Sequence, residues 1–153
     1  DFQIVIGKYL AALVLWTFTF LPTFIYFVCV KKLSLTEAPI DSGATYGSYI
    51  GLYFLGAVFV AIGIFSSSIT NNQIVAFLVG VFLCYLMYDA FFRISSLQVF
   101  QGQLDYFIQA IGLNAHYDSI SRGVVDTRDI IYFISVISLF IIGTRTALES
   151  RKW

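Results

Sequence analysis

Four long apolar stretches, Tyr9–Val30, Gly47–Phe65, Ile74–Phe92 and Ile130–Leu148, occupy more than half of the chain. A helix rises about 1.5 Å per residue and the hydrocarbon core of a bilayer is about 30 Å thick, so about 20 apolar residues make one crossing. Lipid offers no water to an unpaired N–H or C=O. Each crossing segment must satisfy its own backbone, which selects helices over open strands. The stretches predict an all-α, polytopic membrane protein, with residues 1–153 forming a single transmembrane domain. Composition agrees, being 59% hydrophobic and 12% charged, about half the charged share of an ordinary soluble domain.

The polar segments between these stretches predict the connections. Asp1–Lys8 reads as the end of an interfacial segment feeding the first span, with Lys8 snorkelling at its entrance. A start so close to an apolar run, without a basic leader region, reads as that of a fragment. Pro22 predicts a bend in the first span, for packing or as a hinge. Lys31–Tyr46 is a polar connector. Gly43, Gly47 and Gly51 recur every four residues and predict a smooth stripe for helix packing or self-association, or the wall of a conduit. Ser66–Gln73 is a short turn between antiparallel neighbours, with Thr70 or Asn71 as candidate N-cap.

The third span ends in Asp89 and Arg93, four residues apart on one helix face, as an anchoring ion pair or a polar element near the outer end of a pathway. In the segment from 97 to about 125, Leu97, Phe100, Leu104, Phe107, Ile108 and Ile111 fall at spacings of three and four, with Gln98, Gln101, Gln103, Asp105 and Gln109 on the other side. This predicts an amphipathic helix on or dipping into the membrane surface, broken at Gly112–Asn114 and followed by a short helix over Ala115–Val125. Asp126 and Asp129 read as a capping start for the last span, and Glu149–Trp153 as a basic aromatic interface anchor.

Several functions lack footing. The net charge is zero and no basic run exceeds Lys31–Lys32, which excludes an electrostatic nucleic-acid surface. His116 is the only histidine and reads as structural or solvated; Cys29 and Cys84 read as buried free thiols. No phosphate-binding GxxxxGK[ST] loop occurs. No catalytic residue, cofactor or metal is therefore expected, and the chain is not expected to be an enzyme. Lysine and arginine counting does not orient it. With both termini inside, Lys8, Arg145, Arg151 and Lys152 lie inside and Lys31, Lys32, Arg93, Arg122 and Arg128 outside.

The stretch NAHYDSISRGVVDTRD (114–129), the Tyr132–Phe133 opening of the last span and the basic tail together resemble the C-terminal end of permease subunits of type 2 ABC exporters. The resemblance is greatest to the gliding-motility-associated ABC transporter permease. The start DFQIVIGKYLAAL resembles the junction after that family's cytoplasmic coupling segment, carried by Gly7-Lys8-Tyr9-Leu10. The resemblance implies the C-terminal part of a six-span permease, multi-pass in the bacterial cytoplasmic (inner) membrane, with the 97–125 segment on the outward side. It implies a separate ABC ATP-binding subunit, approached by Phe2, Ile4 and Lys8, and a second permease chain in a homo- or heterodimer. An auxiliary extracytoplasmic subunit and membrane lipid complete the implied partners. The competing reading is a structural or assembly membrane protein without transport activity, since glycine stripes and amphipathic segments are packing features.

Overall fold

The computed structural model describes residues 2–33, 41–96 and 104–150. Asp1, much of the polar connector with Glu37 and Pro39, the start of the amphipathic segment with Leu97 and Phe100, and the tail from Arg151 lie outside these residues. Among the described residues seven α-helices follow in order: α1 (Phe2–Leu33), α2 (Ser42–Ile69), α3 (Gln73–Tyr85), α4 (Phe91–Ser95), α5 (Leu104–Ile111), α6 (Leu113–Ser121) and α7 (Thr127–Ser150). A π-helical turn, Leu86–Ala90, joins α3 to α4 into one rod. Among the described residues four helices are long and apolar enough to cross a membrane: Phe2–Leu33, Gly43–Ile69, Gln73–Ser95 and Thr127–Ser150. The chain is an all-α polytopic membrane protein.

The elements begin and end for local reasons. α1 is one helix of 32 residues from Phe2, rather than an interfacial piece followed by a span. It continues through Pro22, whose ring supplies no N–H to the carbonyl four residues earlier. Nearby hydroxyls bond back onto the same helix, Thr23 Oγ1 donating to the Phe20 carbonyl and Thr19 Oγ1 to that of Trp16. α2 starts before the expected Gly47 because Asp41 Oδ1 accepts from the Gly43 and Ala44 N–H groups, two of the donors a helix start leaves unpaired. Asn72, rather than Thr70 or Asn71, caps α3 by accepting from the Ile74 N–H, while Thr70 Oγ1 accepts from the Asn72 N–H. Asp126 Oδ1 accepts from the Arg128 N–H at the start of α7.

α2 is the axis of the bundle and packs against α1, α3, α6 and α7. Leu55, Val58, Ala61 and Ile62 of α2 meet Tyr9 of α1, Leu113 and Ile120 of α6, and Phe133, Val136 and Phe140 of α7 in one buried cluster. The outer faces of α1, α3 and α7 carry exposed apolar side chains such as Leu15, Phe18, Phe77, Phe82, Ile131 and Leu139, as lipid-facing helices should. The chain order gives the bundle two ends. One holds the end of α1, the start of α2, α4, α6 and the start of α7; we call it the Asp41 end. The Ser67 end holds the α2–α3 turn, the start of α1 and the end of α7.

Within the 97–125 segment, α6 is part of this bundle. Leu113 and Ile120 of α6 are fully buried, so α6 seats on α2 rather than lying free on a membrane surface.

Candidate functional site

Among the described residues a polar cluster lies at the Asp41 end, where α5, α6 and α7 converge. The last carbonyls of α5 have no partners within their own helix. His116 Nε2, reaching back from α6, lies 3.0 Å from the Ala110 carbonyl oxygen. The Tyr132 hydroxyl of α7 donates to the Ile111 carbonyl. The His116 and Tyr132 rings stack with centroids 3.9 Å apart. The other imidazole nitrogen, Nδ1, lies 2.7 Å from Asp129 Oδ1. Asp129 is only 6% exposed.

Both ring nitrogens of His116 therefore face acceptors. A neutral imidazole carries one N–H, so the contacts need one more proton on the line between Nδ1 and Oδ1. Held by either partner, it leaves the pair with no net charge, which lowers the cost of burial. Asp129 Oδ2 is buried with no hydrogen-bond partner; the N-terminal turn of α7 places the carboxylate at the positive end of a helix dipole. In a hydrolytic triad the second imidazole nitrogen must face a nucleophile. Here a backbone carbonyl occupies it. The geometry is that of a clasp joining three helices.

The clasp was not legible as such. The capping reading of Asp126 and Asp129 divides in the structure: Asp126 caps α7, and Asp129 turns to His116. A polar residue near each end of a glycine-containing turn was the available signal, with Gly123 at φ +89° supplying the reversal between α6 and α7.

The glycine stripe lies beneath α6. A Cβ on Gly47 would fall 2.4 Å from the Ile120 carbonyl oxygen and 2.7 Å from Gly123 Cα, and one on Gly51 would fall 3.2 Å from the Tyr117 ring. At Gly43 an added Cβ meets only Asp41 Oδ1, at 3.3 Å, though Gly123 lies close to its backbone. Gly56, outside the predicted stripe, lets α1 approach: its Cβ would sit 2.3 Å from the Trp16 ring. Asp89 lies in the π-helical turn and pairs with Arg93 one turn on, where the Arg93 side chain is 70% exposed. Tyr88 beside it faces Tyr117 of α6, ring centroids 6.5 Å apart.

Phe2, Ile4 and Lys8 lie at the Ser67 end. Phe2 and Ile4 are exposed, and the Arg145 guanidinium sits 5.8 Å from the Phe2 ring centroid, within reach of a cation–π contact. Ile4 and Lys8 border a cavity of about 320 Å³ shared by α1, α2 and α7, with Ser67, Ser68 and Thr144 contributing hydroxyls. Arg145 pairs with Glu149 at 2.7 Å, leaving Lys8 at the cavity mouth with no ion pair to a described residue. Among the described residues no group of three His, Cys, Asp or Glu side chains could hold a metal ion.

Fold and site together define a helical, membrane-embedded protein whose two ends differ, one tied by a polar clasp and the other holding a largely apolar cavity shared by α1, α2 and α7. In comparisons with protein-family models, curated proteins and solved structures, none matched this chain.

Proposed function

We propose that this chain is a transmembrane subunit of an ATP-binding cassette transporter, working with a separate ATPase subunit. The observation that carries the reading is the asymmetry of the ends. The Asp41 end is tied together by α5, α6 and the His116–Asp129 clasp. The Ser67 end holds the Ile4–Lys8 cavity, where the sequence resemblance puts the approach to the ATPase. A subunit moved by a cytoplasmic motor needs a rigid far end and an accessible near one. On this reading the Ser67 end faces the cytoplasm of a bacterium, the membrane is the inner one, and a second permease chain completes the pathway. The resemblance points to gliding motility as the process served.

The test is co-purification in mild detergent of the full-length protein with the ATP-binding subunit encoded beside it. A stable complex with ATPase activity is expected, and Lys8→Glu should lower that activity about tenfold while the chain stays folded; a reversed charge contact of about 1.4 kcal/mol corresponds to that factor. A folded chain that captures no ATPase removes the transporter reading and favours the assembly scaffold.

A further inference from the structure

Between α1 and α2, toward the Asp41 end, lies a groove of about 380 Å³ walled by Phe20, Leu21, Phe24, Tyr49, Tyr53 and Phe54. Phe24 stacks on Tyr49 with centroids 4.7 Å apart, and Phe20 meets the same ring edge-on at 5.6 Å. The tyrosine hydroxyls on its walls are already engaged. Tyr49 donates to the Thr23 carbonyl at 2.8 Å, and the Tyr53 hydroxyl lies 3.2 Å from Thr17 Oγ1. The groove therefore presents hydrocarbon and ring faces. It opens sideways past Leu21, 53% exposed, and Ile50, 40% exposed. Both residues lie within membrane-crossing helices, so the opening faces lipid.

The rim of the groove has the opposite chemistry. Phe20, Phe24, Phe27 and Lys31 follow at helical spacing along one face of α1. Phe27 meets Tyr46 at the rim, ring centroids 5.3 Å apart. Helical side chains lean toward the N-terminus of their helix, so Lys31 leans back over this rim, with Lys32 beside it. Both lysines are exposed, and neither forms an ion pair with a described residue. Tyr46 is 49% exposed, with a ring suited to the headgroup region.

An apolar slot beneath two cations and a phenol matches an amphiphile with an anionic head. We propose that this groove seats one acyl chain of an anionic phospholipid, with its phosphate at Lys31, Lys32 and Tyr46. A second copy of the chain fits less well. A two-fold axis along the membrane normal would bring Lys31 and Lys32 of both copies to the same depth, where like charges repel; a phosphate removes that repulsion. The inference needs only the membrane-embedded fold and stands apart from the transporter reading.

Native mass spectrometry of the full-length protein, released from mild detergent, tests it with phosphatidylglycerol and phosphatidylcholine of identical chains. One phosphatidylglycerol should be retained with roughly thirtyfold preference, the scale set by two surface lysines. Lys31→Gln with Lys32→Gln should bring that preference near parity without lowering thermal stability. Leu21→Trp, filling the groove from its lipid side, should remove retention of both lipids. Equal retention by the wild-type protein overturns the proposal, as does a preference untouched by the lysine changes. A disulfide-linked pair of copies formed efficiently by Leu21→Cys in native membranes also overturns it, by giving the groove to a second copy.

Discussion

Asp129 illustrates what residue-scale chemistry demands in this bundle. Its carboxylate is buried, one oxygen meets His116 and the other meets nothing. Removing its partner leaves that group without compensation, so His116→Ala should cost about 1.5–3 kcal/mol, the range for hydrogen bonds involving a charged group. Asp129→Asn should cost less, because the amide can still accept or donate toward the imidazole. Thermal unfolding in detergent, run as a cycle with the His116→Ala/Asp129→Ala double variant, measures the coupling; additive single losses would mean that the two residues do not act as a pair. Asp89 gives the contrast. Its partner Arg93 is mostly exposed, so Asp89→Asn should lower stability by less than about 1 kcal/mol. Any large loss of ATP-coupled activity in that variant would then report on function rather than folding. Lone residue types carried little of this information. His116 and Asp129 are 13 positions apart, and no helical or strand period joins them; only the reversal at Gly123 brings them together.

The helices themselves were largely legible, because a lipid-crossing segment announces itself by length and hydropathy. Their margins were not. Asp41 pulls the start of α2 ahead of the apolar run by capping it, and a polar cap is invisible to hydropathy. The glycines separate into two classes that spacing cannot distinguish. Gly47→Ala should detach α6, since the new methyl would meet backbone atoms that cannot swing aside. We expect a loss of about 1–3 kcal/mol, the usual cost of overpacking. Gly63→Ala, where an added Cβ has nothing within 4 Å, should be neutral or stabilising by up to about 1 kcal/mol, through helix propensity. Thermal stability of the two variants side by side checks the assignment; equal losses would refute it. Asp41→Ala should cost about 1 kcal/mol, the worth of an N-cap, measured in the same way.

For the whole molecule, the order of helices makes a prediction independent of any function. In a background lacking Cys29 and Cys84, cysteines replacing Lys32 and Arg122 should react with an impermeant thiol reagent from one side of the membrane. Cysteines replacing Ser67 and Thr146 should react from the other. Labelling of Lys32→Cys and Ser67→Cys from the same side would contradict the four-crossing arrangement. The same experiment, run in right-side-out vesicles, decides whether the Ser67 end faces the cytoplasm, as the transporter reading requires.

By itself, the sequence determined the solvent of this protein. Runs of about 20 apolar residues leave a backbone no alternative to helices in lipid, so span number and antiparallel order follow from local hydropathy and short polar turns. The tertiary structure alone decided what those helices do to one another. It placed α2 at the centre, set Gly47 and Gly51 against α6, and made α6 a packed part of one end. It also tied His116 to Asp129 and opened an aromatic groove between α1 and α2. These outcomes depend on shape complementarity between surfaces distant in sequence, and every helix in lipid is apolar all round. Hydropathy therefore states that a face is dry, while close packing decides whether it meets a neighbouring helix or lipid.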